Sequence, residues 1–371
     1  MLDAEKLSYY FRLRLSYANS TLFPKGAKEI EISNLKKLSG GITNNVYSLS
    51  LKIKKDDCEQ VHDLVLKGYT DKASLWFKAV YPNTELRRYI REYNTMHALA
   101  QAGFPVPQVY ICEKDSFFLG YPFLIMQQEF HLPESNFEVE SFASTLASLH
   151  KLELSTLGIR SLRIPHDDSE FAKQRLVCLK SFMKGSRHYY FLRKNFDFAI
   201  RWLESNSESV KCSKYSLIHG EYHPGHTVPT KENGLTVIDW ENSEIGDPVF
   251  DVAYAYNFLR VMYNNKTFDS GLNVAESFLS HYCDILSEDF KDRIDFYKVV
   301  SLLGVAVTVS SLIADPVDVY RSFGKEAFAR AIGFPFLHSG SLPYVNQWLN
   351  KDFLLSYLQY CQDFIKSTLR N

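Results

Sequence analysis

The spacing of apolar residues changes once along this chain, near residue 130, and that change sets the expected architecture. From Glu29 to Gln128 the apolar positions recur mostly at every second residue. Tyr47, Leu49, Leu51 and Ile53 alternate with Ser48, Ser50, Lys52 and Lys54, which gives a strand one apolar and one polar face. Leu64 and Leu66 continue the pattern, and 108–112 and 122–127 read as two further strands. One helix interrupts them: Leu86, Ile90, Tyr93 and Leu99 fall at helical spacing, and Gly103 followed by Pro105 and Pro107 supplies the stop. Beyond Phe130 helical spacing takes over, across 141–150, 172–182, 195–205, 249–262, 296–314 and 351–367, with short strand-like runs at 215–219 and 235–240. The expectation is an α+β fold in two lobes. Residues 1–129 form a small antiparallel-sheet lobe with one helix, residues 130–371 a larger, mainly helical lobe, and a cleft separates them.

Composition narrows the partners. A chain of 371 residues holds about two or three folding units. Its 42 Lys plus Arg balance 43 Asp plus Glu, so it lacks the basic footprint of a nucleic-acid binder, and no nucleic-acid partner is expected. Hydrophobic residues make up 46% and charged residues 23%, which excludes a disordered or collagen-like chain. Cysteines 58, 112, 178, 212, 283 and 361 form no C-x-x-C pair, so neither a zinc ribbon nor a disulfide framework fits, and a reducing, cytoplasmic setting is expected. Met1 to Ser16 mixes charges with aromatics, unlike a secretory signal. The apolar run Val299 to Ala314 is broken by Ser301, Gly304, Thr308, Ser310 and Ser311. It falls short of the ~20 residues of a membrane span and reads as a buried helix.

The densest polar cluster is Leu217-Ile218-His219-Gly220-Glu221-Tyr222-His223-Pro224-Gly225-His226, the composition of a loop leaving a buried strand. Val237-Ile238-Asp239-Trp240-Glu241 follows, then Gly246-Asp247-Pro248-Val249-Phe250-Asp251. A carboxylate closing an apolar strand is costly unless it is paired or holds a metal, so Asp239 needs a partner.

These segments resemble the aminoglycoside phosphotransferase and choline kinase-like family, small-molecule relatives of the protein kinases. That family carries H-G-D-x-H-x-x-N, I-D-W/F-E and G-D-P-x-x-D, matched here in order by H-G-E-Y-H-P-G-H, I-D-W-E and G-D-P-V-F-D. In the first lobe, Leu38-Ser39-Gly40-Gly41-Ile42-Thr43-Asn44-Asn45-Val46-Tyr47 resembles the glycine-rich turn, Leu64-Val65-Leu66-Lys67 the lysine strand, and Arg91-Glu92-Tyr93 the helix bearing the lysine's glutamate. The resemblance implies a protein-kinase-like fold and an ATP-dependent transfer of phosphate to a hydroxyl of a small metabolite. Gly40, Gly41 and Asn45 would then approach the phosphates, and Lys67, steadied by Glu92, would reach them. Asp239 would hold Mg²⁺, and Glu221 would act as catalytic carboxylate on the acceptor.

Two positions depart from the family pattern. Glu221 stands for the catalytic aspartate, one methylene longer, and His226 stands for the metal-binding asparagine. Imidazole suits Mn²⁺ better than Mg²⁺, so the metal at His226 and Asp239 is expected to be either ion. The alternative is a catalytically degenerate chain that binds nucleotide or metabolite as a regulator. A protein kinase is disfavoured: H-R-D and A-P-E are absent, and the stretch from Trp240 to Ile245 is too short for an activation segment. A metallohydrolase built from His219, Glu221, His223 and His226 is a third reading, against which Gly220 and Pro224 break any helix that would align the histidines. Family likeness gives His219 a hydrogen-bonding role. Asp251 either steadies the catalytic loop or caps a helix, and Glu241 and Asp247 either add negative field to the cleft or are solvated acids. Glu129, Glu134, Glu138, Glu140, Asp167, Asp168 and Glu170 either line a pocket for a cationic amine or form solvated faces.

Overall fold

A computed structural model of the chain describes residues 4–17, 22–23, 29–38, 44–55, 58–69, 87–129, 138–159, 161–186, 189–230, 234–262, 272–286, 290–314, 361–363 and 365–369. Strands β1 (Glu29–Lys37), β2 (Asn44–Lys55), β3 (Cys58–Tyr69), β4 (Val109–Glu113) and β5 (Phe123–Gln127) make one antiparallel sheet. Its order is β1-β2-β3-β5-β4.

The period of two sorts the sheet's faces. Tyr47, Leu49, Leu51 and Ile53 of β2, with Leu64 and Leu66 of β3, pack in one apolar cluster with Leu7, Tyr10 and Phe11 of helix α1 (Ala4–Tyr17). Each of these buried aliphatic side chains contributes about 1.5–3 kcal/mol relative to exposure. The sequence reading did not find α1, whose aromatic and charged residues follow one another without a clean apolar stripe. The hydroxyl of Tyr10 donates to Glu113 at 3.0 Å and Arg14 pairs with the same carboxylate, tying α1 to the end of β4. On β5, Phe123 and Ile125 join the α1 side, while Leu124 and Met126 join Met96 and Leu99 of α2 (Arg88–Gln101) in the main core. By the same alternation Lys67, next to Leu66, turns toward α2. That helix ends at Gly103, whose φ of 76° suits glycine.

The helical part contains α3 (Val139–Lys151), the single turn α4 (Leu154–Leu157), α5 (Glu170–Gly185), α6 (Tyr189–Asn206), α7 (Val249–Met262), α8 (Leu272–Leu286) and α9 (Lys291–Ala314). Helix α8 is a further element that the sequence reading missed. Within α9, Val299, Val300, Leu302, Leu303, Ala306 and Val307 are buried, so the longest apolar run is core as far as Val307. Among the described residues no helix is long and apolar enough to cross a membrane. Of the helix expected over 351–367, residues 361–363 and 365–367 are described and helical, with Cys361 and Ile365 buried. Two short antiparallel pairs, β6 (Ser216–Ile218) with β9 (Glu244–Gly246) and β7 (Thr227–Thr230) with β8 (Gly234–Val237), frame the polar loops. All six cysteines are free.

Candidate functional site

Lys67, buried on β3, makes three ion pairs. Its Nζ donates to Glu92 Oε1 and Oε2 at 2.9 and 2.7 Å and to Asp239 Oδ1 at 2.7 Å, and lies 3.4 Å from Glu241 Oε2. Glu92 comes from α2, and the Tyr69 hydroxyl also donates to it. Glu241 accepts from Asn44 Nδ2 at 2.7 Å and from Arg88 at 3.3 Å. One oxygen from each of Glu92, Asp239 and Glu241 falls within 4.8 Å of the others. Burial opposes the charge on Lys67, but Asp239, Glu92 and Glu241 outweigh it and hold the pKa above the usual lysine range. Burial likewise opposes charge on Asp239, yet Lys67 and His226 hold its carboxyl well below the usual range. Glu92 is raised by burial against the pull of Lys67, with Asp239 and Glu241 adding to the rise. Three carboxylates facing Lys67 and Arg88 leave an excess of negative charge.

Asp239 lies beyond the end of β8, in a left-handed conformation with φ 67° and ψ 58°. Aspartate tolerates this region better than most residues, and such a backbone costs about 1–3 kcal/mol that the surroundings must offset. The sequence expectation that Asp239 closes a strand is therefore corrected by two residues: the strand stops at Val237.

The His219–His226 segment is held by its backbone. Asp251, buried in the first turn of α7, accepts the N–H of His219 at 2.6 Å and of Gly220 at 2.8 Å. His219 Nδ1 accepts from the N–H of Glu221 at 3.2 Å, so Nε2 carries the hydrogen that meets the Ile238 carbonyl at 2.9 Å. Burial and the neighbouring His226 push its pKa down to about 4, and it stays neutral. His223 Nδ1 accepts from Gly225, its ring stacks on Phe258 at 4.4 Å, and burial keeps it neutral as well. Gly220 has φ 83°, and a Cβ there would lie 2.4 Å from the Asn242 carbonyl oxygen, so the loop needs glycine for both reasons.

Two side chains of this loop face the Asp239 side of the cluster. Glu221 Oε2 accepts from Asn242 Nδ2 at 2.7 Å and Oε1 from the Tyr254 hydroxyl at 3.2 Å. Burial raises its pKa, with Asp239 and Glu241 raising it further against the pull of His226. The Nδ1 of His226 meets the Glu221 carbonyl at 3.0 Å, which fixes the hydrogen on Nδ1, and its Nε2 lies 3.5 Å from Asp239 Oδ2.

Lys67, Glu92, Asp239, Glu221 and His226 are thus brought together. Asn45 is half-buried on β2 opposite Gly68, its side chain bonded to Tyr121, and a Cβ on Gly68 would lie 2.2 Å from that ring. Gly40 and Gly41 lie outside the described residues. Glu241 and Asp247 are both buried, which removes the solvated-acid reading. Asp251 takes the loop-steadying role. Asp168 and Glu170 pair with Lys211 and Arg163, and Asp167 accepts from Ser169, so these acids serve the start of α5. Sequence reasoning missed Asn44, Arg88, Asn242 and Tyr254. Asn44 lies within the quoted segment 38–47 without having been assigned a role, Asn242 adjoins I-D-W-E and Tyr254 lies one helical turn beyond Asp251, but only the folded chain shows what they touch.

A sheet-rich part and a helical part meeting at this cluster constitute a protein-kinase-like α+β fold. The chain belongs to the phosphotransferase enzyme family, whose profile matches residues 35–288. It is similar to a Ralstonia eutropha structure described as an aminoglycoside phosphotransferase, at 17% identity over 94% of this chain and 99% of that one, with a TM-score of 0.58. A thermostable variant of the phosphotransferase APH(4)-Ia, solved as a ternary complex with ADP and hygromycin B, is similar at 14% identity over 88% and 99% of the two chains, with a TM-score of 0.55. Among curated proteins it is similar to acyl-CoA dehydrogenase family member 11 of Gallus gallus, at 31% identity over 45% of this chain and 22% of that protein. Acyl-CoA dehydrogenase family member 10 of Mus musculus is 26% identical over 60% of this chain and 22% of its own length. The chain spans about a fifth of the length of these two relatives.

Proposed function

We propose that this chain transfers the γ-phosphate of ATP to a hydroxyl of a small molecule. The observation that carries the reading is Lys67, bonded at once to Glu92 of α2 and to Asp239 beyond β8, so that three separated motifs meet on one cation. In this reading Lys67 pairs with the phosphates while Glu92 keeps it oriented, and the turn at Gly40 and Gly41 with Asn45 covers them. Asp239 Oδ2 and His226 Nε2 fit a divalent ion, Mg²⁺ or Mn²⁺: one anionic oxygen and one imidazole nitrogen face each other beside an excess of negative charge. Such an ion, when bound, neutralises phosphate charge. Glu221 receives the acceptor's proton as the acceptor oxygen bonds to the γ-phosphorus and the bond to the bridging oxygen breaks, releasing ADP. Its raised pKa brings it nearer to the range of a working base. We propose further that the lobes divide at residues 1–129 and 130–371.

A screen of sugars, amino alcohols, aminoglycosides and hydroxylated acyl thioesters for acceptor-dependent ADP release, run with Mg²⁺ and with Mn²⁺, tests this. The last class enters because the curated relatives bear an acyl-CoA dehydrogenase name. One acceptor class should raise release, and Glu221→Gln should abolish most turnover with nucleotide affinity nearly intact. Nucleotide binding with no acceptor-dependent release would favour the second reading, a nucleotide-binding regulator, which the substitutions at Glu221 and His226 support.

A further inference from the structure

We propose that Asn242 and Tyr254 are positioning residues that hold the Glu221 carboxylate at the acceptor, a clamp that fits the side chain's extra methylene. The inference rests on the transfer reading above and deepens it. Each oxygen of the carboxylate has one donor: Asn242 Nδ2 at 2.7 Å on Oε2, and the Tyr254 hydroxyl at 3.2 Å on Oε1. The donors arrive from different elements. Asn242 lies in the 3₁₀ turn Trp240–Asn242 that follows Asp239, and Tyr254 lies on α7 one turn beyond Asp251.

Both donors sit on elements that pack against the His219–His226 segment. Asn242 is buried, and its backbone carbonyl sits so close to Gly220 that no Cβ fits between them, which fixes it against the residue preceding Glu221. Its amide must turn Nδ2 toward Glu221, since Oδ1 there would face a carboxylate. Tyr254 stands near-parallel to the His223 ring, with centroids 6.3 Å apart and an interplanar angle of 25°, and Asp251 in the same helix carries the backbone of His219 and Gly220. A glutamate has one more rotatable bond than an aspartate, and left free it would spread over several rotamers. Two donors on two oxygens select one of them and leave the remaining lone pairs for an acceptor hydroxyl. An aspartate at 221 would draw the carboxylate back from both donors.

Steady-state kinetics and crystallography together test the clamp. Tyr254→Phe, which removes one oxygen and keeps the ring, should lower kcat about tenfold and leave the nucleotide KM within about twofold, since the group acts on the acceptor side. Asn242→Ala should do the same or more. In a Glu221→Gln background, Tyr254→Phe should cost nothing further, because the base it positions is gone even though the amide oxygen can still accept from the phenol. A fall in kcat that is as large in that background as in the wild type, or an unchanged kcat in Tyr254→Phe, overturns the proposal. If the wild type turns over no acceptor, the transfer reading fails instead, and crystal structures still decide the clamp. Glu221 should hold a single rotamer in the wild type and leave it in Tyr254→Phe; the same rotamer in both contradicts the proposal.

Discussion

His226 is the residue whose chemistry differs most from the family pattern. Its Nδ1 hydrogen is taken by the Glu221 carbonyl, so the nitrogen left for a ligand is Nε2, 3.5 Å from Asp239 Oδ2. Nitrogen next to a carboxylate oxygen favours Mn²⁺ over Mg²⁺ relative to an all-oxygen pair. The Mn²⁺ to Mg²⁺ ratio of nucleotide affinities, measured by calorimetry, should therefore be about one or above in the wild type and fall several-fold in His226→Asn. An unchanged ratio would remove His226 from the ligand set. At this scale the sequence was informative in two ways: Asp239 was legible because a carboxylate in an apolar setting needs a partner, and Lys67 and Glu221 because the segments around them resemble family motifs. Asn242 and Tyr254 were not, because an amide and a phenol hydroxyl are unremarkable in any loop or helix until the fold puts them beside a carboxylate.

Among the elements, β2 and α1 do work that the sequence pattern shows only in part. The alternation of Tyr47, Leu49, Leu51 and Ile53 announces an apolar strand face but not what covers it; α1 does. At the other end of β2, Asn44 reaches Glu241, joining the start of β2 to the 3₁₀ turn beyond Asp239. Glu241→Ala would leave Asn44 and Arg88 without that acceptor, and should cost about 2–4 kcal/mol in denaturant unfolding and weaken ATP binding about tenfold. Unaltered affinity in a folded variant would show that the joint plays no part in nucleotide binding. The tie of α1 to β4 is testable by pH. Burial opposes charge on Glu113, but the N–H of Asp115 and the side chains of Arg14 and Tyr10 outweigh it and hold its pKa below the usual carboxylate value. A depressed folded-state pKa means that this stabilisation is complete above the unfolded value of about 4.3 and is lost as the pH falls through the folded one. Glu113→Gln should lower the melting temperature by about 2 °C at pH 7, the pair being partly exposed, and the gap between variant and wild type should close toward pH 3. A gap independent of pH would contradict the role given to that charge.

For the molecule as a whole, the two-lobed α+β plan was legible because a period of two and a period of 3.6 leave different marks, and they change over near the junction of sheet and helices. What escaped was α1, which has no clean apolar stripe, the short strands β7 and β9, too brief to show a period, and α8, whose amphipathic spacing was legible but passed over. The convergence of Lys67, Glu92, Asp239 and Glu241 from separate parts of the chain underlies the proposed phosphate contact and the proposed divalent-ion site beside it. Thermal unfolding with and without nucleotide tests it most directly. ATP with Mg²⁺ or Mn²⁺, at a hundredfold excess over its dissociation constant, should stabilise the wild type by about 2.7 kcal/mol, and Lys67→Ala should lose most of that gain. An unchanged melting temperature with every purine nucleotide and either metal would contradict the account.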